Sequence, residues 1–397
     1  MVLIKKVSAK HIPDSRKEKT IFVEINTNVG SFSGSSPTGK STGKYEAKPY
    51  KKNLEKDIET IKKFSDYFSD EIIDTFDDLR RVEDIADGHF GANTLFALES
   101  AILKALSKEK KKEVWELLNP ALQKERESLI LPRPVGNCIG GGKHSDSKEN
   151  PNKRPDFQEF LLIPKEGSIK SDFEVNKRIK KELESFLSKK DKQFKKKRND
   201  EDAWETTLNE KEILELLSSL KGNFDLGVDV AASGFYKRKK YQYYNPLLQR
   251  KKEEQFLYIS NLIKNYNVFY IEDPFEEEDF ESHAKLLEKF PESLIVGDDL
   301  IVTNYKRFEK AIKTKSVNAI IVKPNQNGSL MEVKRICQLA KSNNIKIVFS
   351  HRSGETEEGI LADLAFGFQA EFFKAGITGK EREIKMKRLI EIEKKLK

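Results

Sequence analysis

The chain has 397 residues, 37% of them hydrophobic, so it can bury a sizeable core and form two domains. Its 73 Lys and Arg residues outnumber 65 Asp and Glu residues, and the net charge of +8 favours an anionic partner, either a phosphorylated metabolite or a polyanion. No apolar stretch suits a membrane span and the charged N-terminus does not suit a secretory signal, so we expect a globular cytoplasmic protein.

The N-terminal part begins with a strand pattern and continues with helical patterns. Residues 21–27 alternate apolar and polar side chains and predict a strand, and residues 30–43 are rich in Gly and Ser and predict a loop. Residues 54–79 and 92–118 then have helical periodicity. The two prolines in residues 131–134 end this pattern, so we place a domain boundary near residue 130.

A repeated pattern fills the second half of the chain, where short apolar runs end in a charged or ionisable residue and a helical stretch follows. The runs cover residues 224–228, 268–271, 294–297, 319–322, 345–350 and 370–373, and they end at Asp229, Glu272, Asp298, Lys323, His351 and Lys374. One strand plus one crossover helix per repeat is the rhythm of an α/β barrel. We predict such a barrel over residues 131–397, with a smaller α+β domain over residues 1–130.

The residues at the ends of these runs should meet at one mouth, because the chemistry of an α/β barrel sits at the C-terminal ends of its strands. Asp229, Glu272 and Asp298 are hard oxygen ligands whose mutual repulsion a divalent cation would relieve. Magnesium fits best and manganese would also be accepted. The simpler alternative is that each carboxylate caps the helix that follows it.

Two lysines complete the set of residues at the predicted mouth. Lys323 and Lys374 should approach each other, and like charge should lower the pKa of each, so that one can act as a general base near neutral pH. A lysine base beside a metal-bound enolate is one way to remove a proton next to a carboxylate. The alternative role for Lys323 is to bind phosphate.

Two further features concern metals and nucleic acids. Cys138 and Cys337 lie far apart without a CxxC spacing, so any metal should have oxygen or nitrogen ligands. Residues 189–198 contain seven basic residues and one acidic residue together with Phe194. Such a run is compatible with a nucleic-acid patch but is more often a solvated helix face or loop, so we regard a nucleic-acid partner as the less favoured interpretation.

Several short motifs, in order along the whole chain, resemble the enolase family. They are DSR at residues 14–16, TGKSTGKYEA at 38–47, GAN at 91–93, LPRP at 131–134, GGKH at 141–144, QEF at 158–160, GVDVAAS at 227–233, IEDPF at 271–275, GDDL at 297–300, KPNQ at 323–326, SHRSGETE at 350–357 and KAG at 374–376. The run over residues 350–357 is the most diagnostic of them. The resemblance implies an enolase-type α/β barrel with an N-terminal α+β capping domain.

The resemblance also implies an activity and its metal ions. The family interconverts 2-phosphoglycerate and phosphoenolpyruvate by reversible loss of water, in glycolysis and gluconeogenesis, and works as a homodimer or larger homo-oligomer. By position, Asp229, Glu272 and Asp298 would bind the tighter magnesium ion. Ser41 would move in with its loop to bind a second one.

The same resemblance assigns roles to the residues around the substrate. Lys323 would remove the C2 proton, and Glu201 would protonate the departing C3 hydroxyl with support from Glu159. The remaining residues would bind the substrate: Arg352 and Ser353 its phosphate, Lys374 its carboxylate, and His144, His351 and Gln158 other parts of it. The planar donors of an arginine are well matched to phosphate.

The chain departs from the family pattern at a few positions. Residues 17–19 replace the usual Gly-Asn-Pro, and His144 lies six residues further from Glu159 than in the family. Around Glu201 the sequence DEDAW at residues 200–204 replaces Asp-Glu-Gly-Gly-Phe, so two glycines are lost and Glu201 could be displaced. The basic run over residues 189–198 lies just upstream of this loop.

These departures keep two alternatives open. One is an enolase-like protein that has lost catalysis and acts as a binding or scaffolding module, on nucleic acid for example. The other is a related lyase or racemase that acts on a different carboxylate, which the presence of Arg352 and Ser353 disfavours. For Glu201 itself, the alternative to a catalytic acid is a solvated carboxylate that balances the lysines upstream.

Overall fold

The computed structural model describes residues 1–40, 43–123, 129–145 and 153–396. Two parts follow one another along the chain: a small sheet with helices, then a closed barrel. This architecture confirms the expected α/β barrel with an N-terminal α+β domain. Among the described helices, none combines the length and the apolar character that crossing a bilayer requires.

The first part is built on an antiparallel sheet in the order β3-β2-β1-β4. Its strands are β1 (Val2–Pro13), β2 (Lys19–Thr27), β3 (Gly30–Ser35) and β4 (Ile72–Ile73). The predicted strand over residues 21–27 is confirmed as most of β2, and its alternate residues Ile21, Val23 and Ile25 are fully buried.

The helices of the first part are α1 (Leu54–Phe68), α2 (Leu79–Ala86), α3 (Ala92–Lys110) and α4 (Val114–Leu118). The predicted helical stretches are therefore each interrupted, and α3 ends where Lys111 takes a φ of 51°. The loop predicted over residues 30–43 is wrong for its first six residues, which form β3. This strand packs tightly on α3, since a Cβ at Gly34 would lie 2.2 Å from the carbonyl oxygen of Ala97.

The second part contains the remaining strands and helices. The strands are β5 (Arg133–Gly140), β6 (Glu159–Pro164), β7 (Trp204–Glu205), β8 (Phe224–Asp229), β9 (Tyr236–Lys237), β10 (Lys240–Tyr244), β11 (Leu247–Arg250), β12 (Val268–Glu272), β13 (Leu294–Gly297), β14 (Ala319–Val322), β15 (Lys346–Ser350) and β16 (Phe372–Lys374). The helices are α5 (Ile169–Lys190), α6 (Glu210–Ser218), α7 (Lys252–Tyr266), α8 (Phe280–Lys289), α9 (Tyr305–Lys313), α10 (Pro324–Asn327), α11 (Leu330–Ser342), α12 (Ile360–Gly367) and α13 (Lys380–Leu396).

The barrel closes because β16 pairs with β5 at one end of a sheet in the order β16-β15-β14-β13-β12-β8-β6-β5-β7. Strand β7 pairs with β5 outside the closed ring. All six predicted runs are barrel strands, namely β8 and β12 to β16. The strands β5 and β6 were not predicted, and β6 runs antiparallel to both of its neighbours.

Side chains join the two parts at several points. The backbone N–H of Leu330, at the start of α11, donates to Glu99 Oε2 of α3 at 2.8 Å. Arg388 of α13 donates to Glu113 Oε2 and to Asp363 Oδ1, each at 2.6 Å. The predicted boundary at residue 130 precedes β5, the first barrel strand.

The basic run over residues 189–198 lies at the end of α5 and in the segment after it. Four of its seven basic residues lie near a carboxylate: Lys190 lies 3.6 Å from Glu215, Lys196 2.8 Å from Glu184, Lys197 3.6 Å from Glu205 and Arg198 3.0 Å from Asp202. Phe194 packs on Trp204 with ring centroids 5.7 Å apart and so belongs to the protein's own packing. Ion pairs of this kind are typical of a solvated surface.

Candidate active site

The ends of the predicted strands converge on one pocket. Asp229, Glu272 and Lys374 are the last residues of β8, β12 and β16, whereas Asp298 and Lys323 directly follow β13 and β14. The pocket is lined by most of the predicted site residues, namely His144, Gln158, Glu159, Glu201, Asp229, Asp298, Lys323, His351, Arg352, Ser353 and Lys374. Glu272 lies immediately behind this lining, in contact with Lys374.

Glu159 reaches the same mouth by a different route. It is the first residue of β6, and because β6 is antiparallel to its neighbours, its first residue pairs with Gly140 and Asp229, the last residues of β5 and β8. The first residue of β6 therefore lies at the same mouth as the last residues of its neighbouring strands. The apolar runs contained no signal for this reversal.

The Lys374 ammonium is enclosed by three carboxylates. Its Nζ lies 2.8 Å from Glu272 Oε2, 3.1 Å from Asp229 Oδ2 and 3.3 Å from Glu159 Oε2. Burial alone would lower the pKa of Lys374, but the charges of Asp229, Glu159 and Glu272 outweigh it and hold that pKa well above its usual value. Gln158 Nε2 also donates to Asp229 Oδ2 at 3.2 Å.

The second lysine forms an ion pair of its own. Lys323 Nζ donates to Asp298 Oδ2 in a close contact. Burial opposes the charge on Lys323, yet the neighbouring Asp298 raises the pKa of Lys323 overall and lowers its own. The prediction that the two lysines lower each other's pKa is wrong for this arrangement, because each ammonium lies closest to carboxylates.

The carboxylates at the mouth are more numerous than the cations around them. Glu272 Oε1 and Asp298 Oδ1 are buried and accept no hydrogen bond from the described residues. Burial and the charge of Asp229 raise the pKa of Glu272 to about 8. Buried oxygen atoms in this condition suit a hard divalent cation. The acidic cluster can therefore bind a metal ion.

Two groupings of possible metal ligands occur within the described residues, and neither of them is the predicted trio of Asp229, Glu272 and Asp298. In one, Asp273, Asp298 and Asp299 each offer an oxygen within 4.8 Å of the others. In the other, a nitrogen of His144 and oxygens of Glu159 and Glu201 lie within 4.8 Å of one another. Asp273 has a structural task as well, since the N–H groups of Asp298 and Asp299 donate to its carboxylate at 3.0 and 2.5 Å.

Glu201 points into the pocket although two family glycines are replaced beside it. Only 2% of its surface is exposed, so it is not a solvated carboxylate. Asn137 Nδ2 donates to its Oε2 at 3.0 Å, and nitrogens of His144 and His351 lie 3.3 and 3.7 Å from its Oε1. The longer segment between His144 and Glu159 thus leaves His144 beside Glu201.

The environments of Glu159 and Glu201 separate their pKa values. Burial, together with the charge of Glu201, raises the pKa of Glu159 well above its usual range. Burial acts in the same direction on Glu201, but His144 and His351 outweigh it and hold the pKa of Glu201 well below its usual range. Two neighbouring carboxyls with separated pKa values can hold one proton between them, and Glu159 is the more readily protonated of the two.

Arg352 and Ser353 lie on the segment after β15 and face the first loop of the chain. Arg352 Nη2 donates to Glu46 Oε2 at 3.0 Å, and Ser353 Oγ accepts from the N–H of Lys40 at 2.8 Å. Lys40 Nζ also lies 3.3 Å from Asp200 Oδ2. Ser41, the predicted ligand of a second metal ion, lies outside the described residues.

Two residues without a predicted role also belong to the site. The Tyr270 hydroxyl donates to Glu272 Oε2 at 2.8 Å, and Glu46 pairs with Arg352 as described above. Tyr270 could have been found, because side chains two apart on a strand share a face. Glu46 lies within the TGKSTGKYEA motif, but its partner is more than three hundred residues away and sequence spacing gives no sign of the contact.

Comparisons with known proteins agree with this geometry. A family model described as "Enolase, C-terminal TIM barrel domain" matches residues 128–397. A protein of Methanosphaera stadtmanae named Enolase is 35% identical over 415 aligned positions, which cover 99% of this chain and 97% of that protein. One of Methanocorpusculum labreanum, also named Enolase, is 34% identical with 99% of each chain covered. A third, from Pyrobaculum aerophilum, is 40% identical over 66% of this chain and 64% of its own length.

Proposed function

The chain belongs to the enolase family, and we propose that it catalyses the reversible dehydration of 2-phosphoglycerate to phosphoenolpyruvate as a magnesium-dependent lyase. The observation that carries the proposal is the composition of one pocket. A lysine, two carboxyls with separated pKa values, an arginine and a buried acidic cluster all line or adjoin it. This set matches what elimination of water next to a carboxylate requires.

The reaction breaks the C2–H and C3–O bonds of the substrate and forms the C2=C3 double bond. The C2 proton goes to the protein, and the C3 hydroxyl accepts a proton from the protein and leaves as water. In our proposal Lys323 takes the first proton and Glu201 gives the second. Because His144 and His351 hold the pKa of Glu201 low, Glu201 must first receive the proton that it gives to the C3 hydroxyl, and Glu159, whose pKa is raised, would supply it.

The metal ligands that we propose are Asp229, Glu272 and Asp298, with Ser41 for a second ion. Their fit rests on the buried carboxylate oxygens of Glu272 and Asp298 that accept no hydrogen bond from the described part of the chain. Bound magnesium would supply positive charge that neutralises these carboxylates and stabilises charge gathering on the substrate's carboxylate. Without the full charge of Asp298 beside it, Lys323 would lose the interaction that raises its pKa and could act as a base.

The substrate would be held by the cations of the pocket. Arg352 and Ser353 bind the phosphate, and Lys374 binds the carboxylate. His144, His351 and Gln158 contact the remaining polar groups. A bound phosphate would replace Glu46 as the partner of Arg352. Phosphate binding would therefore compete with the contact between Arg352 and Glu46 of the first loop.

For the setting of the enzyme we infer a role in glycolysis and gluconeogenesis in the cytoplasm, as a homodimer or larger homo-oligomer. The family membership supports these inferences. Light scattering on the purified chain would measure the oligomeric state directly.

The proposed activity is tested by adding 2-phosphoglycerate and magnesium to purified protein and following the ultraviolet absorbance of phosphoenolpyruvate. We expect a rise that a chelator abolishes and that added magnesium restores. Folded protein that gives no rise would overturn the proposal and favour the non-catalytic scaffold. Salt-sensitive binding of DNA or RNA by such an inactive protein would identify the scaffold's partner.

A further inference from the structure

Glu201 stands on a tight turn whose backbone is unfavourable for most side chains. Asn199 Oδ1 closes the turn by accepting from the N–H groups of Glu201 and Ala203 at 3.0 and 2.9 Å. Asp202, the next residue after Glu201, takes a φ of 63°. This left-handed conformation is natural for glycine, is tolerated by Asp and Asn, and needs support from its surroundings.

The side chain of Asp202 receives that support from three directions. Lys180 Nζ donates to Asp202 Oδ2 at 2.9 Å, and Arg198 Nη1 donates to Oδ1 at 3.0 Å. The Thr378 hydroxyl makes a close contact with Oδ2. Charge-assisted hydrogen bonds of this kind are stronger than those between neutral groups.

Lys180 holds the turn at a second point. It lies within α5 with 4% of its surface exposed, and its Nζ also donates to the carbonyl oxygen of Asp202. Its own carbonyl oxygen accepts from the indole Nε1 of Trp204 at 2.8 Å. The residues on both sides of Ala203 are thus bound to a single buried residue of α5.

The same network reaches the strand that carries Lys374. Lys180 Nζ makes a close contact with Thr378, which follows β16 in the chain. The turn that carries Glu201 and the strand end that carries Lys374 are therefore joined through one ammonium group. An ammonium with so little exposure is costly unless it is paired, and here its partners belong to that turn and to the segment after β16.

On the basis of the proposed function, we propose that Lys180 and Asp202 are positioning residues for the dehydration, which fix the Glu201 carboxyl at the distance from the C3 hydroxyl that proton transfer requires. Neither residue lines the pocket, so both act through Glu201. Asp202 adopts a left-handed backbone conformation that a glycine would adopt without strain. The hydrogen bonds from Lys180 stabilise this conformation. The inference is specific to this chain's sequence at residues 202–204.

The test uses Lys180→Met, which keeps the length of the side chain and removes the charge, and Asp202→Asn, which keeps the tolerance of a left-handed backbone. We expect each to lower kcat for dehydration by at least about tenfold, because a small displacement of a catalytic group is costly. KM should stay within about twofold, since the substrate's ligands are elsewhere. Exchange of the C2 hydrogen with deuterated water should keep the parental rate, because Lys323 is not on this turn.

A double variant separates a positioning role from a merely structural one. If Lys180 acts through Glu201, adding Lys180→Met to Glu201→Gln should cause no further loss of dehydration. The exposed neighbour Lys181→Met is the matched control and should behave as the parent. Should Lys180→Met fail to fold, Asp202→Asn carries the same comparison.

Three results would overturn the inference. They are parental kcat in Lys180→Met and Asp202→Asn, equal losses of exchange and dehydration, or a further loss when Lys180→Met is added to Glu201→Gln. An inactive parent would overturn the proposed function together with this inference. An active parent with unaffected variants would overturn this inference alone.

Discussion

Lys374 Nζ lies 2.8 Å from one carboxylate oxygen of Glu272, while the other oxygen of Glu272 accepts no hydrogen bond from the described residues. The ammonium thus pairs with only one of the two oxygens of this buried carboxyl. Burial and Asp229 raise the pKa of Glu272 to about 8, and a bound cation would favour loss of the proton that Glu272 takes up below that pH. Metal binding and proton release should therefore be coupled at this residue.

The first prediction concerns that coupling. Magnesium binding near pH 7 should release a proton, and the affinity should rise with pH until Glu272 is ionised at about pH 8. Glu272→Gln should weaken magnesium binding at least about tenfold and remove most of the proton release. Calorimetry in two buffers with different ionisation enthalpies measures both quantities. Exposed Glu288→Gln is the control, and parental magnesium affinity in Glu272→Gln would refute the ligand assignment.

The second prediction separates the two proton transfers. Glu201→Gln should lower dehydration by at least about a hundredfold, the lower end of what general acid catalysis contributes, yet still permit exchange of the C2 hydrogen with deuterated water. Lys323→Ala should abolish both reactions, because it removes the base. Absorbance and proton NMR give the two rates. Dehydration at the parental rate in Glu201→Gln would make Glu159 the next candidate for the acid.

The third prediction concerns the basic run. Replacement of Lys195, Lys196 and Lys197 by Gln should leave the lyase activity within about threefold of the parent, because ion pairs at the surface contribute little. Steady-state kinetics at low and high salt is the measurement. A large loss of activity would show that this face supports the Glu201 turn more strongly than its ion pairs indicate.

The fourth prediction is a dependence of stability on pH that originates outside the pocket. Burial, together with Asp156, raises the pKa of Glu210 to about 7. Between the ordinary pKa of a glutamate and this value, the folded state holds a proton that the unfolded state has lost, so the parent loses stability as pH rises through that window. Glu210→Gln should remove this loss and gain on the order of 2 kcal/mol relative to the parent between pH 5 and 8.

Urea unfolding at a series of pH values measures this difference. The exposed Glu253→Gln serves as the control, since a change common to both variants would come from net charge and not from burial. A stability difference between Glu210→Gln and the parent that stays constant from pH 5 to 8 would contradict the prediction.

The sequence predicted the strand ends well because each depends on a local pattern. An apolar run that ends in Asp229 or Lys323 contains its own signal, since burial and the charged terminus are both written in adjacent residues. The direction of β6 and the pairing of Arg352 with Glu46 depend on contacts between distant segments, and a single sequence does not encode them visibly. The Asp202 turn was predictable only in part. The sequence showed that the glycines were missing, but it did not show that Lys180 supports the turn in their absence.

The antiparallel course of β6 gives the barrel one hairpin whose connection opens at the same mouth as the strand ends. Because Gly140 and Glu159 are paired across it, extra residues in that connection change neither the number of strands nor their registration. The described residues at the two ends of this connection, among them Gly142, His144, Arg154 and Gln158, line the pocket, so we expect a change in its length to act on the pocket and not on the strand pairing. A library of insertions and deletions there would therefore be a direct way to engineer the size of molecule that the enzyme admits.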